Sequence, residues 1–407
     1  MNIKNIDPRP MPLFTSLLPF LVIFYEIGVF LSNDAYLPAL PSLGRSFGIT
    51  TEHAQLTISA WFAGSSATQL FIGPLSDRYG RKPILMFGTL LFCVSSTLCA
   101  LTSHLEIFFI ARFLQGVCVA PVFVAGYAAI HESYSSKKAV QILAVVASIT
   151  LLAPALGPLF GAVIVQFLHW RWILGILAIW GAITFILSFF IKETIKEPCR
   201  MSLPSIMKSY GRILSNRLFM SYQMLFAILL GGFFMWLTDS PLILIERAGW
   251  GEISFGIAQA IIFFGYIVGN QWTKSTIETT PIRLIMKRGM IFVMLGTFFM
   301  MLSYMVGGDV YYYGAVASMV MLSLGAASLS APLNRLAIDA SEESTGKKTA
   351  IFSFGISAVA GVSSFLIGII SVGLPWFLLV NSVIAFLIFF SLPQDIFLKE
   401  DEENVPA

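Results

Sequence analysis

Residues 12–36 read PLFTSLLPFLVIFYEIGVFLSNDAY. A helix needs about 20 mainly apolar residues to cross a bilayer, and this run is long enough. Yet it carries two carboxylates, Glu26 and Asp34. A charge at the centre of a membrane helix costs roughly 2.5–3.5 kcal/mol on insertion scales, so an ionisable residue there points to function by default. The two acids are eight residues apart. On a helix that is ~12 Å along the axis and ~80° around it, so one wall of a cavity can present both. Glu26 has apolar-rich sequence on either side. For Asp34 two readings stand: a second cavity acid, or an interfacial residue that ends the helix.

The rest of the chain has the same character. It has 407 residues, of which 57% are hydrophobic and 12% charged, with a mean hydropathy of +0.82. A soluble domain is about one quarter charged, so the expected class is an all-α polytopic membrane protein. MNIKNIDPRPMP leads straight into a full-length span with no small-residue cleavage site, so no cleaved leader is expected. Cys93, Cys99, Cys118 and Cys199 lie in or beside apolar runs without a CxxC pair and read as small apolar fillers. No metal site or disulfide framework is expected from them. A net charge of +3 gives no reason to invoke nucleic acid.

Twelve runs are long enough to span: roughly 12–36, 54–74, 83–102, 106–132, 138–166, 172–191, 218–239, 254–273, 282–306, 311–338, 349–372 and 374–392. With the N-terminus in the cytoplasm, twenty Lys and Arg fall in inner segments. Only Arg45, Arg171 and Arg247 fall outside, and Arg112 and Arg335 lie within spans, which accounts for all 25. That asymmetry places both termini in the cytoplasm. The expected domains are a six-helix bundle over 1–191, a cytoplasmic linker over 192–217, a second six-helix bundle over 218–398 and an acidic tail over 399–407. Within the basic linker, 203–214 reads either as an amphipathic surface helix or as plain connection. Two bundles of six suggest rocking about a site near the midplane.

Between the second and third spans comes GPLSDRYGRKP, 73–83. A simple positive-inside anchor needs the basic residues but neither the aspartate nor the glycines. Gly73 and Gly80 allow close approach, and Asp77 sits among Arg78, Arg81 and Lys82, which together fit a cytoplasmic latch. The fourth span, ARFLQGVCVAPVFVAGYAAIHESY, holds Arg112 near its outer end and Glu132 at its inner end. Arg112 lies at a depth similar to Asp34. A facing carboxylate is the cheapest remedy for a buried cation, so the two are expected to be close in at least one state; snorkelling to the outer surface is the other reading. Glu132 is expected to make a contact on the cytoplasmic side. The fifth span is interrupted by Pro154, Gly157, Pro158 and Gly161, where proline removes a hydrogen bond and glycine permits close helix packing.

The second half is less marked. Asp239 precedes Pro241 near the outer end of the seventh span and reads as a third cavity acid or, preferably, as the start of a loop. Arg335 and Asp339 can pair at i,i+4. The region of Arg283 and Arg288 is a degenerate counterpart of the first latch, without its aspartate.

These motifs resemble those of the major facilitator superfamily. Gly73 to Lys82 matches its loop G-x-x-x-D-R-x-G-R-[RK]. Arg112, Phe113, Gln115 and Gly116 resemble its fourth-helix motif, and Gly157, Pro158 and Gly161 resemble the G-P-x-x-G pattern of its exporters. Over about 20–165 the chain is similar to the twelve-helix drug/proton antiporter branch. The resemblance implies that Glu26 and Asp34 bind protons and substrate, that Arg112 is needed for coupling and that aromatics such as Tyr25 line the pocket. It also implies a monomer in a bacterial inner membrane, driven by the proton gradient without a cofactor, with small molecules, protons and the lipid bilayer as partners. A transporter dedicated to one physiological compound, such as a siderophore or metabolite, is the alternative. An enzyme is not expected, because the sequence offers no nucleotide loop or catalytic triad and its four histidines lie near span ends.

Overall fold

In lipid a backbone polar group has no water to bond, so apolar segments satisfy themselves as helices. The computed structural model describes residues 13–150, 152–195, 203–370 and 373–392. The first twelve residues, Cys199 and the acidic tail lie outside the described residues.

The first half contains α1 (Leu13–Asp34), α2 (Leu40–Phe47), α3 (Thr51–Tyr79), α4 (Arg81–Leu101), α5 (Leu105–Val117), α6 (Tyr127–Ser133), α7 (Ser136–Thr150), α8 (Leu152–Phe167) and α9 (Arg171–Phe189). The second contains α10 (Leu203–Ser215), α11 (Arg217–Ser240), α12 (Glu252–Thr276), α13 (Ile282–Val306), α14 (Gly308–Asp339), α15 (Thr345–Ile369) and α16 (Leu374–Ser391). Each of the twelve apolar runs contains helix. Among the described residues, ten helical segments are long and apolar enough to cross a membrane. The other two are α3, diluted by residues such as Gln55, Ser65 and Gln69, and the α7–α8 pair.

Local chemistry sets the ends. The Thr50 hydroxyl accepts from the His53 N–H at the start of α3, and the Asn216 side chain accepts from the Leu218 and Phe219 N–H groups at the start of α11. Proline has no N–H to give, and two spans widen where one occurs. Pro121–Gly126 joins α5 to α6 as a π-helical turn, and Pro241–Arg247 extends α11 in the same way.

Within the first half α1 packs on α8 and α9, α3 on α5, and α4 on α5 and α9. Within the second α14 packs on α11, α12 and α13, while α11 also meets α15 and α16. Two seams join the halves, α3 with α15 and α8 with α12. Small residues make both seams possible. A Cβ at Gly361 of α15 would lie 3.3 Å from Phe62 Cβ, and one at Gly256 of α12 would lie 2.7 Å from Leu159 Cα. Side chains pointing outward are apolar, among them Phe264, Phe298, Met305 and Leu387. Such a surface suits hydrocarbon rather than water. The linker segment at 203–214 forms a helix, α10, whose inner face of Ile206, Tyr210 and Ile213 is buried while Met207 and Leu214 are exposed.

Candidate functional site

The end of the molecule carrying Asp77 and Arg81 is here the basic end; the other is the far end. A cavity of about 610 Å³ opens at the basic end between the halves. Phe123, Val124, Tyr127 and Ala128 of the fourth span form one wall, and Thr349, Ala350 and Ser353 of α15 form the opposite one. Gln69 and Gly73 of α3 and Ile206 and Tyr210 of α10 complete the lining, with Asp77, Arg81, His131 and Lys347 in it as well. A mostly apolar concavity with a few converging polar groups is the usual form of a small-molecule site.

Glu26 lies behind this wall, 1% exposed. The Tyr127 hydroxyl bonds its carboxylate at 3.2 Å to each oxygen. Tyr127 therefore touches both the cavity and the acid. Asp34 closes α1 and is 4% exposed. The Asn33 amide donates to it at 3.2 Å, and its Cβ would lie 2.9 Å from a Cβ placed on Gly157. A Cβ on Gly161 would collide with the Ala35 carbonyl. The glycines of the fifth span thus let α8 press directly on the end of α1 that bears Asp34.

Arg112 is wholly buried. Its Nη1 donates to the Ser32 carbonyl at 2.7 Å and to Gln115 Oε1 at 2.8 Å, and its guanidinium stacks over the Tyr36 ring at 4.5 Å. The arginine therefore grips the turn on either side of Asp34. Its burial excludes snorkelling. Asp34 is close enough to interact with it through space, as expected, but among the described residues no direct ion pair joins the two in this state, and Nε and Nη2 have no hydrogen-bond partner. Backbone and ring satisfy the cation in its place.

Two expectations are corrected. Tyr25 does not line the cavity: its hydroxyl donates to the Cys118 carbonyl at 2.8 Å and its ring packs toward Phe92. Phe123, Tyr127 and Tyr210 are the cavity aromatics. Asp239 does not begin a loop, since the π-helical turn carries the seventh span on to Arg247. It is buried at the far end, away from the cavity, where Gln55 Nε2 donates to it at 3.1 Å.

The latch loop works within the first half. Asp77 pairs with Arg81 at 2.6 Å, and Arg81 also holds Glu132 at 2.8 Å. The Glu193 carboxylate accepts from the Arg81 and Lys82 N–H groups at 2.9 and 3.1 Å, so it caps α4. Gly80 has φ 103, a conformation that favours glycine. Arg78 is exposed. Arg335 and Asp339 form the expected i,i+4 pair at 2.5 Å. Nothing in the local sequence marks Tyr127 or Gln55; the signal for Glu193 is an acid directly after a span in a basic loop. Among the described residues no group of three His, Cys, Asp or Glu is arranged to hold a metal.

Two packed helical halves around a cavity open at one end, with Glu26 buried behind its wall, define a multi-pass membrane protein with a candidate small-molecule site. Residues 22–343 match the Major Facilitator Superfamily. The chain belongs to that superfamily and is a multi-pass membrane protein. It is similar to the chloramphenicol resistance protein CraA of Acinetobacter baumannii, with 31% identity over 66% of this chain and 65% of that protein. The chain thus spans just under two thirds of that relative's length. It is similar to the multidrug transporter MdfA of Edwardsiella ictaluri at 28% identity over 86% of this chain and 88% of that one. Among solved structures a D-xylose-proton symporter shares the fold, with a TM-score of 0.74 at 13% identity over 93% of this chain and 98% of that one.

Proposed function

We propose that this chain is a proton-coupled antiporter that exports lipophilic or cationic small molecules by alternating access. The observation that carries this reading is Glu26, buried beside the cavity and held by a tyrosine that lines it. Relatives named for multidrug transport and chloramphenicol resistance support the substrate class. The loop charges support a cytoplasmic basic end and cytoplasmic termini in a bacterial inner membrane. Residues 1–191 and 218–398 act as the two rocking bundles, joined by 192–217, in a monomer that needs lipid but neither cofactor nor nucleic acid.

In the state described the cavity faces the cytoplasm. With Glu26 and Asp34 charged, the cavity wall is negative and favours a cation or a polarisable lipophile. Opening to the outside exposes the same acids to a more acidic compartment. There they bind protons, lose their charge and release the substrate. Proton and substrate compete for one charge, which couples them without both being bound together. The membrane potential adds about 2.3 kcal/mol per charge per 100 mV. Arg112 keeps the turn bearing Asp34 in place whichever way that acid is charged, and Asp77, Arg78 and Arg81 with Gly73 and Gly80 form the cytoplasmic latch. Pro154, Gly157, Pro158 and Gly161 set the contact between α8 and α1.

The test is substrate-triggered proton movement in proteoliposomes with several lipophilic cations, a neutral drug and an iron-chelating metabolite. Discharge of an imposed proton gradient by several unrelated compounds, lost in Glu26→Gln/Asp34→Asn, supports the reading. A response to one compound alone replaces it with a dedicated transporter.

A further inference from the structure

The far-end acid has no part in the scheme above. Asp239 lies on α11, which belongs to the second half, and its hydrogen-bond partner Gln55 lies on α3 of the first. The bond therefore crosses between halves at the end that is closed in this state. Beside it is a separate pocket of about 380 Å³, lined by Glu52, His53, Asp239 and Arg247 among others. Arg247 also reaches Glu52 across the halves, at 3.9 Å.

One detail decides how this contact works. Gln55 donates through Nε2, yet its Oε1 is buried and has no hydrogen-bond partner. A buried acceptor left bare costs about 1–3 kcal/mol. A charged Asp239 has no hydrogen to offer it. A neutral Asp239 does: its carboxyl O–H donates to Oε1 while its other oxygen accepts from Nε2, giving a closed acid–amide pair. The groups facing Asp239 are Glu52 and His53 of α3, Arg247 of the π-helical turn and Tyr311 of α14. Arg247 is positive but is shared with Glu52, so the acid is not committed to an ion pair.

We propose that Asp239 is a second proton-binding site, open to the far compartment and separate from the transport route, and that its protonated form clamps the far end shut through Gln55. The proton enters and leaves on the same side, so it is not carried across. Opening the far end parts the pair, returns Asp239 to water and releases the proton. Acidity in the far compartment therefore favours the state in which the cavity faces the basic end. The inference uses alternating access but no substrate or gradient, so it stands or falls separately from the exporter reading.

The test is a spin-label distance measurement across the far end, between Arg45→Cys on α2 and Glu246→Cys on the π-helical turn. Both positions are exposed, and their elements are in contact. The background has its four native cysteines replaced by alanine and carries Glu26→Gln and Asp34→Asn, so the cavity acids do not titrate. In lipid nanodiscs, lowering the pH from about 8 to about 5 increases the ratio of short to long distances; a one-unit difference in proton affinity between closed and open states changes that ratio about tenfold. Asp239→Asn supplies an N–H for Oε1 at every pH, and its short-distance population is high and independent of pH. Asp239→Leu removes both bonds, and its long-distance population is high and independent of pH. An unchanged pH response in Asp239→Asn, or opening of the parent as pH falls, overturns the proposal.

Discussion

In the proposed mechanism, charge is read by single side chains. Glu26 is reached from the cavity through Tyr127, whose hydroxyl bonds both carboxylate oxygens. A hydrogen bond to a charged group contributes about 1.5–3 kcal/mol. Glu26→Gln keeps the shape and removes the charge. Export of cationic substrates is expected to fall about tenfold or more relative to neutral ones, as 1.4 kcal/mol of lost attraction dictates. Parallel uptake assays in inverted vesicles check it, and equal loss for both classes would mean that Glu26 is structural. A second residue-scale prediction concerns Gly161. Any Cβ there meets the Ala35 carbonyl, and overpacking costs typically 1–3 kcal/mol. Gly161→Ala is expected to lower the midpoint of thermal unfolding in detergent and to abolish transport, whereas Gly175→Ala, which has open space around its Cβ, leaves both unchanged.

At the scale of elements, α10 contacts both halves. Tyr210 donates to the Leu70 carbonyl of α3 at 3.0 Å, and Arg212 pairs with Glu343 of the loop before α15 at 2.5 Å. Partial burial works to raise the proton affinity of Glu343, but the bond from Arg212, with Ser209 and Lys347 nearby, holds its carboxyl below the usual value of 4.5. A carboxyl lowered in the folded state contributes while it is charged and loses that contribution as pH falls through its lowered value. The linker is therefore expected to become more accessible to protease under acid conditions below the ordinary carboxylate range. Glu343→Gln is expected to show that accessibility already at neutral pH; identical digestion of both would exclude this role for the Arg212–Glu343 pair. The elements themselves were legible in the sequence because lipid forces each apolar run into a helix. What local pattern does not encode is partner choice. RFLQG announces a buried arginine, yet nothing near Arg112 says that the Ser32 carbonyl and Tyr36 ring, rather than Asp34, satisfy it. Pro241 marked a break, but the structure absorbs it in a π-helical turn and keeps Asp239 within the span.

Across the whole molecule, the two halves are held at the far end and parted at the basic end. The α3–α15 seam runs antiparallel: Leu56 lies against Gly368, Phe62 against Gly361 and Ser65 against Ser357. The cavity opens toward the ends of these helices that bear Gly73 and Thr349. Alternating access requires this seam to separate at its far part when the other side opens. A disulfide needs Cβ atoms about 3.5–4.5 Å apart, and Phe62 Cβ lies 3.3 Å from the Cβ position of Gly361, close enough for small adjustment. In a background without native cysteines, Phe62→Cys/Gly361→Cys is expected to cross-link on mild oxidation. Substrate then still binds from the basic end, because the cavity remains open there, while transport across the membrane stops and returns on reduction. Each single variant transports before and after oxidation. Transport that continues through the cross-linked protein would show that the seam does not open during the cycle, and the motion would then have to pass through α8 and α12 alone.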